Sequence, residues 1–367
     1  MQKTRLYFID IARSIAILLM LEGHFVDNGL MDIYRDKNYD FYNAWLFIRG
    51  FTSPIFLTIT GIVFTYLLVG NNNLDYFKNN RIKKGYKRVV ELLFWGYLVQ
   101  VYAFHVLQCI GIGILSILIL YGIYKAVKII PLWVYFFVAG TILFSSYIVL
   151  STWPKEYYWP VNAPEFVQNM FHGKYSVFPI LPKMGYTMYG AMIGVILYTY
   201  KSKVKEWTFI LPVFLIGAFL YCFVKDLLLI FDAIFDNRIY KIYRIDWLYE
   251  FLGMVLMILA ILITVEKLIG GIKQNLFLKI GQNTLTIYIL HMVVLYGSIT
   301  GLGLNRVIHK NLTPWQIVPL TILFLLLFVV LIYYLDRIKL SLRFILTPIK
   351  KTIPPSPACR TGRCCRA

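Results

Sequence analysis

The chain has 367 residues, of which 59% are hydrophobic and only 15% charged, and its mean hydropathy is +0.67. That composition excludes a soluble globular protein, and continuous apolar runs about 20 residues long exclude a β-barrel, whose strands alternate. The net charge of +19 does not point to nucleic acid, because the Lys and Arg residues fall in short connections where they orient a membrane protein.

The expected fold is all-α, a polytopic transmembrane helix bundle of about 10 spans. They are predicted near 7–26, 45–69, 89–106, 108–124, 131–150, 179–200, 207–230, 247–265, 283–300 and 315–335.

The first span carries Asp10, Arg13, Glu22 and His24 in one apolar helix. A charge at bilayer depth costs at least ~2.5 kcal/mol, so each is a functional candidate by default. The run is too long and too charged for a cleaved signal, and no small-residue cleavage site follows it. Eleven helical steps separate Arg13 from His24, which brings them within about 20° of one azimuth and about 16 Å apart. Asp10 lies about 40° away on the other side of His24. Asp10 and Arg13, three apart, can pair. They are read either as a packing ion pair or as a site where Arg13 reaches an anionic ligand. His24 is the candidate general base, since an imidazole can take a proton from a hydroxyl or amine and return it to a leaving group. The plainer reading is a histidine bonded at a helix end. Glu22 points elsewhere on the helix and is expected to pair with another span.

The second span holds Arg49 and Thr52-Ser-Pro-Ile-Phe-Leu-Thr-Ile-Thr-Gly61. Pro54 frees backbone carbonyls and the hydroxyls can line a polar cavity, so a local break is expected here. The same small residues also serve ordinary helix packing. The connection 70–88 follows, with Lys78, Arg81, Lys83, Lys84, Lys87 and Arg88. Basic residues recur in 201–206, in 266–282 and after the last span. All fall on one side if both termini are cytoplasmic, so the expected topology is N-in and C-in.

Phe104-His-Val-Leu-Gln108 places His105 and Gln108 at an outer hairpin. Two outer loops, 151–178 and 231–246, are long and rich in aromatics, as interfacial anchors or ligand loops are. The ninth span opens Gly281-Gln-Asn-Thr-Leu-Thr-Ile-Tyr-Ile-Leu-His291, with Asn283 or Thr284 as N-cap. Thr284, Tyr288 and His291 share a face by their spacing. His291 is read either as a packed core residue or as a second intramembrane functional histidine. Residues 1–350 form the membrane domain, and 351–367 form a basic tail expected to be disordered. Cys359, Cys364 and Cys365 in that tail lack paired CxxC spacing, so no metal is expected.

The pattern Ile9-Asp-Ile-Ala-Arg-Ser-Ile-Ala16…His24 resembles the N-terminal signature of integral-membrane acyltransferases, with the Arg-x10-His spacing of the family-3 acyltransferases. Thr52-Ser-Pro-Ile-Phe…Gly61, Val106-Leu-Gln108, Phe178-Pro-Ile-Leu-Pro182 running into Gly190 and Gly194, and Gly281-Gln-Asn-Thr-Leu-Thr-Ile-Tyr…His291 are similar to the heparan-α-glucosaminide N-acetyltransferase catalytic-domain family and its bacterial members. Two positions depart: that family has Asn where His24 stands, and Ser14 replaces the usual Gly after the helix Arg.

The resemblance implies a membrane acyltransferase. It would move an acyl group, acetyl foremost, from cytosolic acyl-CoA to a hydroxyl or amine of a sugar or glycan outside. His24, Asp10 and Arg13 would be catalytic; Arg49, Ser53, Gln108, Tyr288, His291, Lys84 and Arg88 would bind acyl-CoA or acceptor. Acyl-CoA (acetyl-CoA) is the expected co-substrate and the cell (inner) membrane the expected location. Expected partners are the lipid bilayer, acyl-CoA and the acceptor, with no nucleic acid and a homodimer left open. The alternative is a proton-coupled transporter or exporter, in which Asp10, Arg13, His24 and His291 relay protons; no inverted repeat supports it. A further alternative is a non-catalytic lipid- or polymer-binding scaffold.

Overall fold

The computed structural model describes residues 6–36, 38–70, 74–101, 103–152, 158–234, 242–270 and 275–351, excepting the side chains at 299, 336 and 338–351. Fourteen α-helices account for most of it: α1 (Tyr7–Gly29), α2 (Asp40–Gly50), α3 (Thr52–Val69), α4 (Asn80–Val99), α5 (Val106–Val127), α6 (Leu132–Leu150) and α7 (Glu165–Phe171) in the first half. The second half adds α8 (Met184–Thr199), α9 (Trp207–Ile234), α10 (Asp246–Ile269), α11 (Leu276–Gln282), α12 (Thr284–Tyr296), α13 (Asn305–Ile308) and α14 (Pro314–Lys351). There is no strand among the described residues, only isolated bridges such as Trp159 with His172.

Among the described residues, six stretches are long and apolar enough to cross a membrane: α2 with α3, α5, α6, α9, α10 with the turn before it, and α14 as far as Leu335. The pair α11 and α12 passes the same test together, bent by 80° at Asn283. Helices α1 and α4, both expected as spans, carry too much charge to qualify, and α8 has only 16 residues.

Several boundaries differ from expectation for local reasons. The basic stretch 70–88 is half helix: α4 begins at Asn80, because the Asn79 side chain accepts from the Arg81 N–H at 2.9 Å and caps it. Arg81, Lys84 and Arg88 therefore sit on a helix whose other face buries Ile82, Gly85, Val89 and Leu92. Likewise α10 runs on to Ile269, and Lys279 lies in α11. The expected break in the second span falls at Phe51, between α2 and α3, which puts Pro54 in the first turn of α3 where a missing N–H costs nothing. The loop 151–178 contains α7; residues 153–157 and 235–241, with Asp236 and Arg238, lie outside the described set, as does the tail beyond 351.

Glycine contacts set the closest approaches. A Cβ on Gly61 would collide with the Thr187 carbonyl, and one on Gly190 with the Thr58 carbonyl. Helices α3 and α8 thus touch backbone to backbone, as small residues in membrane helices allow. Gly281 meets the Asp10 carbonyl in the same way, and Ser14 Oγ stitches that crossing, donating to the Phe277 carbonyl at 2.5 Å and accepting from the Gly281 N–H at 2.9 Å. Ser14 therefore makes a bond that a glycine at this position would lack. The N-terminus of α1 is held by buried Glu266, which accepts from the Phe8 N–H at 2.6 Å and pairs with Lys205 at 2.9 Å.

Candidate functional site

Helix α1 presents Arg13 to one cavity and His24 to another. The first, about 170 Å³, is walled by α1, α3, α4, α5 and α12, and its polar groups are Arg13, Thr60, Arg88, Thr284 and Tyr288. Arg13 Nη2 donates to Thr284 Oγ1 at 3.3 Å, and its Nη1 is 4.0 Å from Asp10. Arg13 thus reaches both Asp10 on its own helix and Thr284 on α12. Arg88 donates to Glu91 at 2.9 Å on its own helix.

The second cavity, about 520 Å³, is more polar. His24, Arg49, Thr52, Ser53, Gln100, His105, Lys183, Tyr288 and Tyr296 all face it. His24 Nδ1 lies 3.1 Å from the Tyr296 hydroxyl, and Asn28 Nδ2 donates to that hydroxyl at 2.8 Å and to the His24 carbonyl at 2.7 Å. Arg49 pairs with Asp27 and lies 5.5 Å over the Trp45 ring, while Trp45 Nε1 donates to Glu22 at 2.6 Å. Glu22 thus pairs with another helix, as its azimuth on α1 requires. Lys183 Nζ sits 4.0 Å over the Phe178 ring.

Phe56 and Tyr288 line both cavities. They form the partition between the Arg13 end and the His24 end, which a rise of 1.5 Å per residue puts about 16 Å apart along α1. The break at Phe51 places Thr52 and Ser53 on the wall of the larger cavity, and places Phe56, one turn further on, at the partition.

The expected residues do not all converge. Arg13, Arg88 and Tyr288 meet at one cavity, and His24, Arg49, Ser53 and Tyr288 at the other. His291 is fully buried and lines neither; its ring packs behind His24 at 5.3 Å and against Tyr288 at 5.0 Å. Gln108 is also buried, accepting from the His105 N–H at 3.0 Å and donating to the Ala103 carbonyl at 3.2 Å, so it caps α5, and it lines neither cavity. Lys84 is exposed and lines neither cavity. Sequence reasoning missed Asn28, Phe56, Lys183 and Tyr296. Asn28 was within reach of it, being one turn from His24; Tyr296, 272 residues away from His24, carried no signal. Among the described residues, no three His, Cys, Asp or Glu side chains gather closely enough to hold a metal ion.

A family model described as heparan-alpha-glucosaminide N-acetyltransferase, catalytic, matches residues 5–225. That range takes in α1 to α8 and most of α9, with Arg13, His24, Arg49, Ser53 and Arg88. Tyr288, His291 and Tyr296 lie beyond it. A comparison with curated proteins finds no match.

Proposed function

The chain belongs to the heparan-alpha-glucosaminide N-acetyltransferase catalytic family, and from that membership we propose that it transfers an acyl group, acetyl foremost, from cytosolic acyl-CoA to a sugar or glycan hydroxyl or amine across the membrane. The observation that carries this reading is the pair of cavities set end to end along α1, sharing Phe56 and Tyr288. One end offers two guanidinium groups to phosphates; the other offers an imidazole and a roomy polar chamber for an acceptor.

In this reading residues 1–350 are one membrane domain with ten crossings: the seven apolar candidates together with α1, α4 and α8. Ten crossings put both termini on one side. The Lys- and Arg-rich connections support the cytoplasm as that side, and the cell membrane is the proposed location. Arg13 and Arg88 then meet the donor from inside, with Asp10 tuning Arg13, and His24 faces outward.

The chemistry needs few groups. With Nδ1–H donated to the Tyr296 oxygen, which has lone pairs for both His24 and Asn28, Nε2 of His24 is left as the base. It takes the proton of the acceptor hydroxyl or amine while that oxygen or nitrogen attacks the thioester carbonyl. The new acyl bond forms, the carbon–sulfur bond breaks, and the departing CoA thiolate recovers the proton from His24. Ser53 and Tyr288, whose side chains line the larger cavity, would donate to the developing oxyanion. Arg49 and Lys183 line the acceptor chamber.

The test is purified protein incubated with radiolabelled acetyl-CoA and a panel of glycans. Transfer that is lost in His24→Ala, with expression and folding intact, is the expected result. Proton-coupled solute flux in proteoliposomes without acyl transfer would replace this reading with a transporter.

A further inference from the structure

A third cavity, about 470 Å³, shares no lining residue with the other two and lies between α8, α9 and α10, with Phe8 of α1 also lining it. Its walls are Met192, Ile193, Ile196 and Leu197 on one side and Phe209, Val213 and Ile216 on another. Polar groups occur only at one end: Tyr200, Lys203 and Thr208. From Thr208 to Ile216 the crevice descends eight residues of α9, about 12 Å. One leaflet of bilayer hydrocarbon is about 15 Å deep. Pro212 stands midway in α9. A proline inside a helix forfeits the bond to the carbonyl four residues back and crowds it aside, here that of Thr208 at the polar end.

The cations around that end are not equivalent. Lys205 is paired with Glu266 at 2.9 Å, Lys201 lies 4.9 Å over the Tyr198 ring, and Lys267 lies 4.3 Å over the Trp207 ring. Lys203 has neither an ion pair nor a ring partner among the described residues, and it is the lysine that lines the crevice. Glu206, the acid beside it, accepts from the Thr208 hydroxyl at 3.2 Å.

We infer that this crevice holds one anionic membrane phospholipid, its acyl chain between α8, α9 and α10 and its phosphate on Lys203. Apolar walls to leaflet depth fit the chain, and a single unpaired cation at the head of the crevice fits a phosphodiester. A zwitterionic lipid would fill the same walls but bring its own cation to Lys203. The site is independent of the acyltransfer reading.

The experiment uses the full chain in phosphatidylcholine vesicles. Phosphatidylglycerol or phosphatidylcholine brominated on the upper acyl carbons is added, and quenching of Trp207 is read as the difference between the wild type and Trp207→Phe. The expected result is quenching by brominated phosphatidylglycerol at a several-fold lower mole fraction than by brominated phosphatidylcholine. Lys203→Ala should equalise the two lipids, while Lys203→Arg and Lys201→Ala should keep the preference. Equal quenching in the wild type, a preference that survives Lys203→Ala, or one lost equally in Lys201→Ala would overturn the inference.

Discussion

The hydroxyl of Tyr296, on α12, lies 3.1 Å from Nδ1 of His24, on α1, and Asn28 donates to the same hydroxyl at 2.8 Å. An imidazole held at one nitrogen has its ring plane and its tautomer set for work at the other.

His24→Ala should lower the acyl-transfer rate by about 10²- to 10⁴-fold, the range of a lost general base. Tyr296→Phe removes the hydrogen bond to His24, worth about 1 kcal/mol, along with the one accepted from Asn28, and loss of the His24 bond should lower kcat by about fivefold with little change in KM for the donor. Steady-state kinetics on both variants check this. A Tyr296→Phe enzyme with unchanged kcat would remove Tyr296 from the positioning role.

At the other end of α1, Arg13→Gln and Arg88→Gln should each raise KM for acyl-CoA. A charged hydrogen bond to phosphate is worth about 1.5–3 kcal/mol, or about 10- to 100-fold. Lys84→Gln should leave KM unchanged, since Lys84 is exposed and lines neither cavity. Isothermal titration with CoA gives the same ordering without requiring turnover.

Phe56 and Tyr288 partition the two cavities, so the size of the acyl group that passes should depend on them. Phe56→Ala should raise butyryl relative to acetyl transfer by about tenfold, the worth of two methylenes at about 0.8 kcal/mol each. The donor series acetyl-, propionyl- and butyryl-CoA measures it as a ratio within one preparation.

The contact between α3 and α8 leaves no room for a side chain at Gly61 or Gly190. Gly190→Ala should lower the thermal midpoint of detergent-solubilised protein, at a cost of about 1–3 kcal/mol for overpacking. Gly111→Ala, whose new Cβ would meet side chains at an ordinary 3.5 Å, should leave the midpoint nearly unchanged.

Outside the membrane, Lys310 donates to Asp32 at 2.9 Å and clips the segment after α1 to the connection between α13 and α14. That hydrogen bond, with the charges of Lys310 and Arg35, holds the Asp32 carboxyl below its usual range. A carboxyl depressed in the folded state stabilises it above the unfolded pKa, and the gain is lost as pH falls through the folded value. Lys310→Met should therefore lower Tm slightly at neutral pH, with the difference from wild type vanishing in acid.

Much of α1 was legible in the sequence. Four ionisable residues in an apolar run have few purposes, and helical geometry alone separates Arg13 from His24 and turns Glu22 aside. The break in the second span was legible as well, because Pro54 and its hydroxyl neighbours weaken a helix locally, although the break falls three residues earlier. The helical start of α4 was hidden by its charge. A cap at Asn79 and one buried face are enough to make a helix of residues that read as a basic connection.

Gln108, His291 and Lys84 show the limit of such reading. Residue type marks what a side chain can do, and the neighbours that spend it come from distant parts of the chain. Gln108 is taken up by the backbone of the turn before α5, His291 by packing behind His24, and Tyr296 gains its place because α12 runs beside α1 in the same direction, with Thr284 at Arg13 and Tyr296 at His24. Composition and periodicity are local and determined an all-helical membrane chain with a polar first helix. The two chambers, their shared wall of Phe56 and Tyr288, and the partner of His24 were decided by tertiary structure. Close backbone contacts at Gly61, Gly190 and Gly281 bring together parts of the chain more than a hundred positions apart.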